Sequence, residues 1–205
     1  MKTKHVLLLA SGSDSRKNLL EESGIPFKVI TQNADESKCD WTLPIEQLVV
    51  EIARLKMEHA ILPEAKEGDV CFVVTADTMG KDPEGKIHGK PVDRYDAIEK
   101  LKGLRNGPVV TVSAFCLNKN VFKDGKWKTI ERKEVCSSAE HFFMVPDKWI
   151  DTYLEKSWGY KGSGAIAIEH FGEQFSKDIK GSYSTIRGLP LFELRETLEE
   201  LGFYE

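Results

Sequence analysis

Several features that would mark a chain at a glance are missing from this one, and each absence narrows its nature. No apolar run approaches the ~20 residues of a membrane span, so the chain is not expected to cross a membrane. The run Val6-Leu7-Leu8-Leu9-Ala10 is too short for a signal-peptide core and no cleavage-site pattern follows it, so no secretory leader is expected. The four cysteines, Cys39, Cys71, Cys116 and Cys136, show no CxxC or metal-finger spacing. They read as reduced thiols of a cytoplasmic protein, not as a disulfide framework or a zinc site. Positive charge is not in excess: 29 Lys and Arg against 33 Asp and Glu leave a formal net charge of −4. Long nucleic acid, which asks for a basic face, is therefore an unfavourable partner, although one small anion held by local charges is not. There is no internal repeat, no low-complexity linker and no GxxxxGK[ST] phosphate loop.

What is present suits a globular fold. The 205 residues are 40% hydrophobic and 30% charged, enough for a sizeable core in one large domain or two small lobes. Apolar Val6–Ala10 predicts a buried strand, and a helix is predicted from Asp14 to Ser23, stopped by Gly24-Ile25-Pro26. Phe27–Ile30 predicts a second strand and Thr31–Thr42 a polar loop. Pro44 to Leu62 predicts the longest helix, with Leu48, Ile52, Leu55 and His59 on one face. Val70–Thr75 predicts a strand ending just before Ala76-Asp77-Thr78, and Asp82-Pro83-Glu84-Gly85 a turn. A helix follows from Asp93 to Leu104. Val109–Asn118 and Lys126–Ser137 predict strands joined across Asp124-Gly125. Asp147–Lys156 predicts a short helix, Ala165–Ile168 and Gln174–Ile179 short strands, and a last helix runs from Leu189-Pro190 to Leu201, closed by Gly202. Early alternation of strands and helices favours an α/β fold with parallel pairing, and the later hairpin makes the sheet mixed. A second lobe is expected from about Asn106 to Ile168, with the last helix returning to the first.

Four places can carry chemistry. Ser11-Gly12-Ser13-Asp14-Ser15-Arg16 sets two hydroxyls and a glycine between a strand and a helix start, where free N–H groups and the helix dipole attract phosphate and Arg16 can add a guanidinium fork. Taken alone, Ser13 reads as only an N-cap and Arg16 as a solvated surface residue. Asp77, at the carboxyl end of a strand, can bind Mg²⁺ or accept a proton, or simply make a turn with Thr78. Glu36, beside Asp35, offers a second carboxylate. Lys90 in Gly89-Lys90-Pro91 and Lys56 on the long helix are point charges for a phosphate, or surface and core-edge lysines.

Together these residues say more. Leu8-Leu9-Ala10-Ser11-Gly12-Ser13-Asp14-Ser15-Arg16, Asp35-Glu36, Ala53-Arg54-Leu55-Lys56, Ala76-Asp77-Thr78, Gly89-Lys90-Pro91, Gly181-Ser182-Tyr183-Ser184 and Gly188-Leu189-Pro190-Leu191 follow one another in order. The series resembles the Maf family of nucleoside triphosphate pyrophosphatases, distantly similar to the inosine triphosphate pyrophosphatases, over nearly the whole chain. The resemblance implies one Maf-like α/β domain over 1–205, with a mixed, curved central sheet flanked by helices and two lobes with a nucleotide cleft between them. It implies hydrolysis of a nucleoside triphosphate between the α and β phosphates, with a divalent ion, Mg²⁺ or Mn²⁺. Ser11, Ser13, Arg16, Lys56 and Lys90 then hold phosphates, while Glu36 and Asp77 bind the metal or activate water. Pairing as a homodimer is a further implication, as is a link to septum formation. That link makes a nucleotide-sensing regulator without turnover the competing class.

The chain departs from the family pattern in places. Asp14 and Ser15 stand where a proline and a first arginine are usual, Val110 where a histidine is usual, and Gly162, with Lys161 one place off, where a lysine is common. Glu169 bears on the base. The branch that looks like dTTP/UTP pyrophosphatases carries Gln there, and the branch similar to 7-methyl-GTP pyrophosphatases carries Glu. A glutamine amide, donor and acceptor, suits a uracil or thymine edge; a carboxylate, acceptor only, suits guanine N–H donors and a methylated, positively charged ring. Val110-Thr111 follows the second branch and Thr78 the first, and the reading leans to a 7-methyl-GTP-like substrate with dTTP/UTP as the alternative. Trp41, Trp149, Trp158, Phe171 and His170 are assigned no role.

Overall fold

The computed structural model describes residues 3–204. Seven strands form one sheet: β1 (Leu7–Leu9), β2 (Phe27–Val29), β3 (Val70–Lys81), β4 (Ile87–His88), β5 (Val109–Lys123), β6 (Lys126–Phe143) and β7 (Ser176–Lys180). The order is β2-β1-β3-β5-β6-β7, with β4 paired to β3. β1 runs parallel to β2 and β3, whereas β4 on β3 and β7 on β6 are antiparallel, so the sheet is mixed. The helices are α1 (Asp14–Ser23), α2 (Ile45–Glu58), α3 (Arg94–Gly103), α4 (Ile150–Lys156), α5 (Tyr183–Ile186) and α6 (Leu191–Glu200). No helix among the described residues is long and apolar enough to cross a membrane.

The chain divides into two compact units. The first comprises Met1–Asp77, Ala114–Cys136 and Gly188–Glu205, the second Thr78–Ser113 and Ser137–Arg187. In the first, strand alternation sends side chains to two cores. Leu7, Leu9, Phe72, Val74, Phe115 and Leu117 face α1 and α6, whose Leu19, Leu20, Leu194 and Leu198 complete that core. Leu8, Ala10, Cys71, Val73 and Cys116 face the opposite way and meet Ala53 and Met57 of α2. Each fully buried leucine or phenylalanine contributes on the order of 2 kcal/mol through apolar area withdrawn from water. The second unit is built around Leu101, Phe143, Ile150, Tyr153, Leu154 and Ile168.

Local signals explain most element ends. Ser13, extended at φ −69°, accepts the Arg16 N–H as N-cap of α1, and Gly24 at φ 68° closes that helix in the left-handed region. Asp93 caps α3 by accepting from the Asp96 N–H. Asp124 and Gly125, at φ 55° and 74°, make the two-residue turn between β5 and β6.

Four expectations are corrected. β3 runs on to Lys81, so Asp77 lies within the strand: β5 lies beside β3 in the sheet, and β4 pairs with its last two residues, Gly80 and Lys81. α2 ends at Glu58, leaving His59 exposed as its C-cap. β5 and β6 continue to Lys123 and Phe143, beyond the predicted ends. Ala165–Ile168 is not a strand: its backbone groups are met by turn bonds and by one buried hydroxyl, not by a ladder. Sequence reading also missed α5.

Candidate active site

The first unit gathers six of the residues singled out in the sequence. Ser11 follows β1 and is buried; its hydroxyl accepts from Arg16 Nη1 at 3.1 Å and from the Ser13 N–H at 3.3 Å. Arg16, in the first turn of α1, is also buried, and its Nε donates to the Gly188 carbonyl at 2.7 Å. Gly188 sits at φ 101°, a conformation that favours glycine. These bonds hold the guanidinium at the start of α1, beside the N–H groups that a helix leaves without intrahelical partners. Burial lowers the Arg16 pKa, while Asp77 and Glu36 pull it back up.

Glu36 opens a short 3₁₀ turn, Glu36–Lys38, fixed by Asp35, whose carboxylate accepts from the Ser37 N–H at 3.2 Å and hydroxyl at 2.6 Å. The Trp41 indole donates to the Glu36 carbonyl at 3.2 Å. Lys56 joins the acidic residues: its Nζ lies 3.0 Å from Glu36 Oε1 and 2.7 Å from Asp77 Oδ1. Both Lys56 and Asp77 side chains are 10% exposed, against 43% for Glu36. The second Asp77 oxygen, Oδ2, is buried without a hydrogen-bond partner. Burial pushes the Asp77 carboxyl above the usual carboxylate range; Lys56 and Arg16 oppose the shift and Glu36 adds to it.

Strand and helix periodicity account for the Lys56–Asp77 meeting. Thr75 and Asp77 are two apart on β3 and share the face turned toward α2. Ala53 and Lys56 are three apart on α2 and share a face of the helix. The buried Thr75 hydroxyl donates to the Ala53 carbonyl at 2.6 Å, fixing helix against strand so that Lys56 falls opposite Asp77. Thr75→Val, close in shape and lacking the hydroxyl, is expected to lower unfolding free energy by about 1 kcal/mol, read by denaturant titration. The roles of Thr75 and of the Gly188 carbonyl were not read from the sequence. The two-residue offset from Asp77 was the available signal for Thr75; the Gly188 contact spans 172 residues.

The cluster's charges balance: two cations, Arg16 and Lys56, against two carboxylates. Its hard oxygen donors and the bare Asp77 Oδ2 fit Mg²⁺ or Mn²⁺, which take one or two carboxylates and complete their shell from water and phosphate oxygens. Among the described residues no group of three or more His, Cys, Asp or Glu is placed to hold a metal; Glu36 and Asp77 are the two carboxylates that would hold such an ion here. Cys39, a softer donor, is buried, and burial with Glu51, Glu36 and Asp77 raises its thiol pKa, keeping it protonated.

The other two candidates belong to the second unit. Lys90 is exposed on the segment after β4, its carbonyl accepting from Lys100 Nζ at 3.3 Å. Glu169 is 8% exposed at the start of a 3₁₀ stretch, His170–Phe175, where its carbonyl accepts from the Gly172 N–H at 3.1 Å.

Comparison with known proteins gives the cluster a context. The Maf-like protein family matches residues 6–201. A Fusobacterium nucleatum protein named dTTP/UTP pyrophosphatase is 34% identical over 96% of this chain and 96% of its own. One of the same name from Geotalea uraniireducens is 33% identical over the full length of both. A Chlamydia pneumoniae protein named nucleoside triphosphate pyrophosphatase is 33% identical, covering 96% of this chain and 94% of its own. With the family matched across almost the whole chain and similarity running end to end, this protein belongs to the Maf-like family.

Proposed function

We propose that the chain is a hydrolase of nucleoside triphosphates, cleaving between the α and β phosphates to release a nucleoside monophosphate and pyrophosphate. One observation carries the reading: a single buried ammonium, Lys56, holds Glu36 and Asp77 together and leaves Asp77 Oδ2 bare. The names of the relatives support the same reaction class.

Each residue has a task in that reaction. Arg16, with Ser11, Ser13 and the first N–H groups of α1, receives phosphate oxygens. The resemblance assigns Lys56 and Lys90 to phosphates, and Lys56, in contact with Glu36 and Asp77, also orients the two carboxylates. Asp77 accepts a proton from the attacking water. The water oxygen bonds to the α-phosphorus, the bond from that phosphorus to the bridging oxygen breaks, and pyrophosphate leaves with the electron pair. A raised carboxyl pKa makes ionised Asp77 a stronger base than an ordinary aspartate. A triphosphate carries about four negative charges, and a cluster that is itself neutral cannot offset them, which calls for a divalent ion on Glu36 and Asp77. When bound, such an ion supplies positive charge at the phosphates and lowers the pKa of water.

For the base, Glu169 favours a 7-methyl-GTP-like substrate, since a carboxylate accepts from guanine N–H groups and attracts a cationic ring. The relatives' names favour dTTP and UTP. A panel of standard and modified triphosphates with Mg²⁺ or Mn²⁺, read by pyrophosphate release, decides between them. Glu169→Gln is expected to shift kcat/KM toward UTP and dTTP by roughly tenfold. Unchanged selectivity would remove Glu169 from base reading. Tight binding of one nucleotide with no turnover of any would point instead to a regulator.

A further inference from the structure

The segment carrying Glu169 takes its shape from one side chain. Tyr153 on α4 is wholly buried, and its hydroxyl donates to the Ala165 carbonyl at 2.9 Å and accepts from the Ala167 N–H at 2.8 Å. The backbone wraps closely around this residue. A Cβ at Gly172 would lie 1.6 Å from the Ala167 carbonyl oxygen, and one at Gly159 would lie 2.9 Å from both the Ala165 carbonyl oxygen and the Tyr153 ring. Ala165 and His170, at φ 62° and 53°, occupy the left-handed region, which costs a residue other than glycine on the order of 1 kcal/mol. A segment so bent, with no strand ladder, needs support from outside itself, and the Tyr153 hydroxyl gives it two hydrogen bonds. Burial pushes the phenol pKa up, and the nearby Glu169 charge adds to the rise, so the hydroxyl stays protonated at neutral pH and keeps donating.

We infer that Tyr153 is a positioning residue for base selection: its hydroxyl fixes the Ala165–Ala167 backbone and thereby the place of the Glu169 carboxylate two residues on. The inference deepens the role given to Glu169 above and rests on it. Tyr153→Phe keeps the ring, which packs against Phe143 and Phe175 with centroids 5.6 Å away, and removes only the hydroxyl. A merely structural role would lower kcat/KM for every nucleotide by one common factor. A positioning role changes the ratio between nucleotides that differ only in the base, and does so through KM.

The experiment compares kcat and KM for 7-methyl-GTP and UTP in wild type, Tyr153→Phe, Glu169→Gln and the double variant. Tyr153→Phe is expected to bring the kcat/KM ratio toward unity by about fivefold or more, with no further change on adding it to Glu169→Gln. An unchanged ratio in Tyr153→Phe beside a shifted ratio in Glu169→Gln would overturn the inference and leave the Glu169 reading intact. Unchanged ratios in both would defeat the Glu169 reading, and the inference with it. If Tyr153→Phe does not fold, amide exchange in the wild-type protein decides. The Ala167 N–H is expected to be slowed about a thousandfold or more, and exchange at open-loop rates would overturn the inference.

Discussion

Asp77→Asn is expected to lower kcat by roughly 10³-fold or more, the loss appropriate to removing a general base, with circular dichroism unchanged. An amide matches the carboxylate in size but cannot take up the proton of the attacking water at neutral pH. Stability should depend on pH. The folded-state pKa of Asp77 is raised, so protonation favours the folded state: this contribution is full below the unfolded aspartate pKa and lost as pH rises through the folded value. Above the folded value wild type has lost it, whereas asparagine is neutral at every pH. The stability of Asp77→Asn relative to wild type should therefore be lowest in acid and rise with pH, although the variant leaves Lys56 with Glu36 as its remaining carboxylate. Mg²⁺ or Mn²⁺ should raise the melting temperature of wild type and do so far less in Asp77→Asn, because only an ion that binds the folded state shifts the transition. Near-wild-type pyrophosphate release by this variant would remove Asp77 from the chemistry.

Lys56→Met carries the second large effect. Methionine fills the stem's volume and removes the ammonium that lies 3.0 Å from Glu36 and 2.7 Å from Asp77. Breaking a buried ion pair by deleting one partner costs about 3 kcal/mol or more, because the remaining charge stays desolvated. Without Lys56 to oppose burial, the Asp77 carboxyl rises further above its ordinary range. The sign follows: Lys56→Met should be clearly less stable than wild type at pH 7 and recover much of the difference as pH falls and Asp77 protonates. Urea unfolding at the two pH values reads this, and kcat should fall about a hundredfold or more as the carboxylates lose their alignment. A stability loss independent of pH would mean that Lys56 acts through packing alone.

The sequence made local features legible and left long-range ones dark. The Ser13 cap and the Gly24 stop are set by neighbouring residues, and the helix between them falls where the pattern predicts. Asp77 was read past a strand end because Asp, Gly and Lys are weak strand formers; the neighbouring strand β5 and, at Gly80 and Lys81, β4 are invisible to propensity. Ala165–Ile168 looked like a strand because it is apolar, yet its hydrogen bonds go to a tyrosine hydroxyl twelve residues away. Lys56, read alone, was a lysine at the edge of a core. Its partner Asp77 lies 21 residues on, and the ordered series of short motifs implied a phosphate for Lys56 without pairing it with Asp77.

The most direct test of the account is the fate of heavy oxygen from labelled water during hydrolysis of the preferred triphosphate. Attack at the α-phosphorus predicts nucleoside monophosphate and pyrophosphate in equal amounts, with the label in the monophosphate alone and its appearance abolished in Asp77→Asn. Nucleoside diphosphate with inorganic phosphate, or label in the pyrophosphate, would contradict it.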